Sequence, residues 1–143
     1  MHHVAIMKKS WGLTEKILSG EKTIESRWYS ARCAPWDRIA KGDAVYFKNS
    51  GEPVTLASRV LGVKQFELHG QKDVKKILSQ YGREDGILSG ERETFFERFK
   101  NKKYCILIFL QNVRTVRPFN IDKRGFGAMA AWVSVKKIAS IKK

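Results

Sequence analysis

The chain has 143 residues, of which 43% are hydrophobic and 29% are charged. This length fits one ordinary domain with a core of its own, and this composition excludes a disordered protein. No apolar run reaches the length of a membrane span, and the N-terminus lacks the apolar stretch and cleavage site of a secretory signal. We therefore expect a cytoplasmic protein with no membrane partner.

The net charge of +14 is large for this length and points to an anionic partner. It is unevenly spread, because the segment 101–143 holds ten lysines and arginines and one acid, Asp122. Two interpretations stay open: a solvated basic face, or a surface that follows the phosphates of a nucleic acid. No cofactor and no metal are expected, since the three histidines and two cysteines lack metal-ligand spacing.

Hydrophobic periodicity predicts the elements. In chain order the first are a strand at 3–7, a helix at 10–20 capped by Ser10, strands at 23–29 and 44–49, and a long strand at 54–68 bent at Gly62. A helical pair follows, at 71–82 and from Ser89 or Gly90 onward. The chain then has a buried strand at 103–113, a loop at 117–129 and a strand at 132–135.

About six strands and few helices favour a mixed α+β fold dominated by β, with a small β-barrel and flanking helices. The strands do not alternate with helices, which excludes a doubly wound sheet. We expect a single domain over 1–143, with the helical pair at about 71–100 and a basic C-terminal segment. Gly125 and Gly127 form no dinucleotide fingerprint, because they do not lie between a strand and a helix.

The stretch SGEKTIESRWY holds the polar pattern of most interest. Side chains alternate on a strand, so Glu25, Arg27 and Tyr29 share one face, while Ile24 and Trp28 share the other. If the Ile24 and Trp28 face is the core, the polar face points outward, toward a pocket between the barrel wall and the helices. Glu25 and Arg27 then have two possible roles. They form a surface ion pair that contributes about 0–1 kcal/mol to stability, or they line a cleft where Arg27 binds an anion and Glu25 takes a proton or orients a partner.

Two further segments supply candidate ligand contacts. Lys48 and Asn49 end a strand, where barrels place binding residues. Arg124 opens the glycine-bearing loop RGFGAM, which is either a tight turn or a close approach of backbone to a ligand. The early aromatic residues, such as Trp11 and Trp28, are either core or rings on which bases stack.

The run GEKTIESR at 20–27, followed by KGD at 41–43 and the strand AVYFKNSG, resembles the ASCH domain. This domain is a β-barrel related to the PUA domains that bind RNA. The resemblance is specific over about residues 3–65, is looser through the helical pair, and returns at YCILIFL. It implies a small PUA-like barrel that binds RNA or a nucleotide in a cleft beside the sheet.

For activity the resemblance implies two alternatives, since some small bacterial members hydrolyse the acyl amide of N4-acetylcytidine and others are similar to ribonucleases. The amidohydrolases use a Lys in the Gly-x-Lys-Thr run, which is Lys22 here. They also use a Thr three residues later, where this chain has Glu25, and a Glu in the helical region, for which Glu84 is the candidate. The nucleophilic hydroxyl is therefore missing, although Thr23 is present, one register off on strand alternation.

The sequence and the resemblance leave three alternative functions to be tested. The first is a binding protein whose cleft is lined by the basic, acidic and amide side chains Lys22, Glu25, Arg27, Lys48 and Asn49. The second is a hydrolase, in one of two forms. In an amidohydrolase, Lys22 with a depressed pKa would act as a base and Glu25 would activate water. In a ribonuclease, Lys22 and Arg27 would stabilise the charge of a phosphorane while Glu25 or Tyr29 assists proton transfer. The third is a protein-interaction module.

Overall fold

A computed structural model describes all 143 residues. The strands are β1 (His2–Met7), β2 (Ile24–Tyr29), β3 (Ala44–Asn49), β4 (Val54–Glu67), β5 (Tyr104–Phe119) and β6 (Trp132–Val135), and the helices are α1 (Leu13–Ser19), α2 (Gln71–Tyr81) and α3 (Arg92–Phe99). One sheet contains all six strands, in the order β2-β5-β4-β3-β1-β6, and it curls into a half-barrel with β2 and β6 at its edges. Only β1 and β3 pair in parallel. No helix is long and apolar enough to cross a bilayer.

Most strands form where period-two alternation predicts them. β3 and β6 have the predicted bounds. β5 is longer than predicted, because its pairing with β4 continues to Phe119 opposite Val54, through residues expected to lie in a loop. The register between β4 and β5 shifts between Val60 and Gly62, which places a bulge where the glycine predicts a bend.

The first helix begins later than the sequence predicts. Ser10 lies inside a 3-10 turn, Lys9–Trp11, and does not cap α1. Between the turn and the helix stands Gly12, whose φ of 62° only glycine adopts at little cost. This left-handed residue ends the turn and sets Trp11 apart from α1.

Both faces of the curled sheet are buried. The inner face forms the largest apolar cluster, with Phe47 and Ile108 among its members. On the outer face, α2 and α3 cover one half, where Leu107 packs with Val74. The C-terminal segment covers the other half, where Val133 packs with its neighbours.

The sequence left the orientation of β2 conditional, and the structure decides it. Ile24 and Trp28 face the helical pair outside the curl. Glu25 and Arg27 stand opposite Ile108 and Ile106, which belong to the inner cluster, so the polar face points into the half-barrel. Alternation defines two faces of a strand, but it does not tell which is inside when neighbouring elements bury both.

Candidate functional site

A charged network lies beside the edge strand β2. Lys22, immediately before the strand, is 2% exposed, and its Nζ donates to a carboxylate oxygen of Asp85 at 2.5 Å and to the Asp85 backbone carbonyl at 2.7 Å. The same Nζ lies 3.3 Å from a carboxylate oxygen of Glu25. A lysine buried to this degree is retained only where its charge is paired and its donors are satisfied.

The network continues along β2. Arg27 donates through Nη2 to the second oxygen of Glu25 at 2.9 Å. The hydroxyl of Ser26 donates to the second oxygen of Asp85 at 2.5 Å and accepts from Nε1 of Trp28 at 3.0 Å. Two cations and two carboxylates thus balance each other's charge in a largely buried site.

The network sets the protonation states of its members. Burial alone lowers the pKa of Lys22, but the carboxylates of Asp85 and Glu25 outweigh burial, and the pKa lies above its ordinary value. Burial raises the pKa of Glu25, yet Lys22 and Arg27 outweigh it and the pKa lies below its ordinary value. Burial also raises the pKa of Asp85, against the attraction of Lys22. Lys22 is therefore an ammonium, and it lacks the depressed pKa that a catalytic base needs.

The acid of the helical region that reaches Lys22 is Asp85, not Glu84. The backbone carbonyl of Glu84 accepts the N–H groups of Thr23 and Ile24, at 2.8 and 3.0 Å, and this pins the loop to the start of β2. The side chain of Glu84 is exposed, whereas Asp85 is 4% exposed and points at Lys22. No local pattern distinguishes two adjacent acids in a loop, so the candidate Glu84 is corrected to Asp85.

A cleft of about 510 Å³ opens above this network. Its floor is the edge strand β2, which contributes consecutive residues from both of its faces, Glu25 to Tyr29, and its other walls are the end of β1, the turn that carries Trp11, and the loop before β6. Cationic and aromatic side chains line it together, namely Lys8, Arg27, Lys123, Trp11, Trp28, Tyr29 and Phe99. A smaller cavity of about 40 Å³ lies against Lys22 and Asp85, and both cavities share Glu25 and Ser26.

Arg27 spans the open edge of the half-barrel. From β2 its guanidinium donates to the backbone carbonyls of Ala131 at 3.1 Å and Ile6 at 3.4 Å, and it lies 5.2 Å from the ring centre of Trp132 on β6. Its Nε is buried without a hydrogen-bond partner. The residue thus ties the two edge strands together at the cleft.

The structure brings some predicted site residues together and separates others. Lys22, Glu25, Arg27 and Tyr29 lie in or beneath the cleft. Among the remaining ones, Lys48 and Asn49 lie beside the cleft rather than in its wall: the amide of Asn49 donates to Glu52, and the pKa of Lys48 is lowered by burial and by the nearby charge of Lys123. Arg124 points away, with a 91% exposed side chain paired to Asp122.

Several cleft residues were not predicted from the sequence. Lys8 and Lys123 supply cations at the rim, and Ser26 supplies a hydroxyl at the floor. Lys123 stands next to Arg124, so the basic loop was identified but not the side chain that turns inward. Nothing local distinguishes these residues, because their placement depends on β1 and β6 meeting β2 across the open edge of the sheet.

Neither a family model nor a curated protein matches the chain. The crystal structure of ASCH from Zymomonas mobilis is similar, with a TM-score of 0.67 at 19% identity over 99% of this chain and 96% of that one. A hypothetical protein of known structure gives 0.52 at 19% identity, over 81% and 100%. The N-terminal domain of Staphylothermus marinus McrB gives 0.50 at 13% identity, over 83% and 76%.

These likenesses establish the fold. The chain has the fold of the ASCH domain proteins over nearly its whole length. The expected mixed α+β fold dominated by β, with a curled sheet and flanking helices, is confirmed, in the form of a six-stranded half-barrel with three helices.

Proposed function

We propose that the chain binds an RNA strand or a nucleotide in the cleft between β2 and the loop before β6. The observation that carries the proposal is the lining of the cleft, in which aromatic rings and cations face one cavity of about 510 Å³. Pockets of about 300–1,000 Å³ hold small organic ligands, so a cavity of this size suits one nucleotide. The net charge of +14 supports an anionic ligand.

Each part of a nucleotide has partners of suitable chemistry in the cleft. Trp11 and Tyr29 offer rings on which a base can stack. Lys8 and Lys123 stand at the rim, where they can contact a phosphate. Arg27 has one N–H group, on Nε, that no protein acceptor satisfies.

Fluorescence anisotropy with a labelled single-stranded tetraribonucleotide at several salt concentrations tests this proposal. Lys8→Gln/Lys123→Gln removes the two rim cations, and Lys72→Gln/Lys76→Gln removes two exposed cations from α2 as a control of equal net charge. Each phosphate contact on a single strand contributes roughly 0.7 to the slope of log K against log salt, so the rim variant should lower that slope by about 1.4. Equal behaviour of the two variants would contradict the proposal.

One observation favours a hydrolase as the second candidate. Glu25 and Ser26 face the cleft and also contact the buried Lys22 and Asp85, so a bound ligand would lie next to a charged network. Since Lys22 is an ammonium, its role there would be to stabilise negative charge that develops in a transition state, rather than to remove a proton.

Product formation separates this candidate from simple binding. Wild-type protein is incubated with RNA and, separately, with N4-acetylcytidine, and the mixtures are resolved by gel and by chromatography. A hydrolase should yield product that is lost in Lys22→Met and in Ser26→Ala, with circular dichroism confirming that each variant is folded. Intact substrates after prolonged incubation with wild type would exclude both reactions.

A further inference from the structure

A second basic surface lies on the outer face of the sheet, away from the cleft. Strand pairing places Val135, His2, Ala44 and Arg59 side by side across β6, β1, β3 and β4. Directly opposite residues share a face, so the side chains of these four residues emerge on the same side. That side is the outer one, because Val135 packs with the outer cluster of the C-terminal half.

Aromatic rings form a row on this face. The ring of His2 lies 6.0 Å from that of Tyr46, and the ring of Tyr46 lies 5.9 Å from that of Phe119. The ammonium of Lys142 stands 4.5 Å above the ring of Phe119. The three rings are partly exposed, so they combine structural packing with an accessible surface.

Four exposed cations lie near this row: Arg59, Arg114, Lys137 and Lys142, which we call the outer basic face. Arg114 is on this face because it is opposite Ala57, which is itself opposite Tyr46. None of them takes part in an ion pair. The nearby acid, Asp43, is already bonded to His3 and to the N-terminal ammonium. The pKa of His2 is lowered, first by burial and then by the N-terminus, Arg59 and Lys137, which is consistent with a positive potential at this surface.

The outer basic face connects to the rim of the cleft. Lys142 pairs with Ile121 in a short bridge, two residues before the rim cation Lys123. Lys48, opposite Ile6 on β1, is close enough to Lys123 for the charge of Lys123 to lower its pKa. Lys48 and Lys142 therefore lie on segments that adjoin the one carrying the rim cation Lys123, with the Asp122–Arg124 pair beside it.

We propose that the outer basic face is a second contact surface for a single RNA strand, one nucleotide of which occupies the cleft. The inference rests on the proposed function of the cleft and extends it from a single nucleotide to a path. Cations that follow a backbone, interleaved with partly exposed rings, are the combination by which proteins hold single strands without reading their sequence.

Two labelled single-stranded RNAs, a 4-mer and a 16-mer, test the path by anisotropy titration over a range of salt. Arg59→Gln/Arg114→Gln/Lys137→Gln removes three cations of the outer basic face, and Lys72→Gln/Lys76→Gln/Arg83→Gln removes three exposed cations near α2 as the control of equal net charge. We expect the outer variant to bind the 16-mer roughly 10- to 100-fold more weakly at 0.1 M salt, with a salt slope lower by about 2, because each lost contact contributes roughly 0.7. Its affinity for the 4-mer should stay within about twofold of wild type, because a 4-mer with one nucleotide in the cleft has only three more, which we expect to contact the rim rather than the outer basic face.

The outcomes separate the two proposals. If the 16-mer binds the outer and control variants equally, the outer basic face is not a contact surface and this inference fails. If wild type binds the 16-mer through the outer face but the 4-mer binding does not depend on Lys8 and Lys123, the cleft proposal fails instead. Unlabelled double-stranded and single-stranded RNAs are also compared as competitors for the labelled 16-mer. If the double strand displaces the 16-mer as effectively as the single strand does, the assignment to single strands is overturned.

Discussion

At the scale of single residues, the buried network explains why a lysine, Lys22, lies two residues before β2. Lys22, Glu25, Arg27 and Asp85 balance two charges of each sign, and three of these side chains are at most 5% exposed. Removing one partner from such a buried site leaves a charge without compensation. The four charges should therefore behave as one unit.

Lys22→Met should lower the free energy of unfolding by about 3 kcal/mol, because it leaves the carboxylate of Asp85 buried without its cation. Asp85→Asn should cost a similar amount. The double variant Lys22→Met/Asp85→Asn keeps the Glu25–Arg27 pair and removes the imbalance, so its loss should be about 1–3 kcal/mol smaller than the sum of the two single losses. Urea unfolding of the four proteins measures this cycle, and additive losses would show that the charges are not coupled.

A second residue-scale prediction concerns His3, which is fully buried with its Nε2 2.9 Å from Asp43 and its Nδ1 2.9 Å from the hydroxyl of Ser134. Burial lowers the pKa of His3 although Asp43 opposes the shift. The folded protein therefore binds this proton less tightly than the unfolded chain. Stability should be fully present above about pH 6.5 and decline as the pH falls below that value toward the folded pKa.

Urea midpoints measured from pH 7.5 to pH 5 test this prediction. His3→Gln should flatten the decline. His2→Gln, at a partly exposed neighbour whose pKa is lowered mainly by burial, is the control and should flatten it less. A decline that is unchanged in His3→Gln would assign the pH dependence to another group.

At the scale of elements, β2 is an edge strand in which both faces are buried. Its outer face packs on α3, where the rings of Trp28 and Phe99 stack at 4.6 Å. Its inner face carries Arg27, which reaches across the open edge to the end of β1 and the residue before β6. An unpaired edge is a liability in sheet proteins, and a side chain that bridges two edges covers part of it.

Arg27→Met should destabilise the protein by about 2–3 kcal/mol, because Glu25 loses one partner and the carbonyl of Ala131 loses its donor. It should also speed amide hydrogen exchange in residues 128–132. Arg27→Lys keeps the charge but not the planar fork, so it should restore only part of the protection. Exchange rates in 128–132 that match wild type in both variants would contradict the bridging role.

At the scale of the whole molecule, the position of the charge matters more than its amount. The cations of the helical pair alternate with acids, whereas the C-terminal third has ten cations and one acid that is bonded to Arg124. The fold places this C-terminal charge over the outer face of the sheet and at the rim of the cleft. A clustered charge binds a polyanion more tightly than the same charge dispersed.

Chromatography on a heparin column at pH 7 should reveal the clustering without any RNA. The variants Arg59→Gln/Arg114→Gln/Lys137→Gln and Lys72→Gln/Lys76→Gln/Arg83→Gln have the same net charge. The first should elute at clearly lower salt than the second, because it loses cations that cluster on one face, whereas the second loses cations that lie among the acids of the helical pair. Coincident elution would show that net charge alone governs the interaction.

Periodicity located most elements of the fold from the sequence. The bounds of β3 and β6 and the position of α2 follow from local alternation or from helical spacing of apolar residues. The bulge near Gly62 was also predictable, because a glycine inside a strand pattern weakens regular pairing. The end of β5 was not predictable in this way, because residues 114–119 include two arginines and a proline and are held in the sheet by pairing with β4.

The sequence by itself thus determined the order of the elements, the basic character of the C-terminal third, and the group Lys22, Glu25 and Arg27 on or beside one strand. Only the tertiary structure decided that Glu25 and Arg27 face inward and that Asp85 is the acid paired with Lys22. It also decided that Lys123, rather than Arg124, lines the cleft. The physical reason is that alternation and charge are local properties of the chain. The inner side of a curled sheet, and the partner of a buried ion 63 residues away, depend on which distant segments the fold brings together.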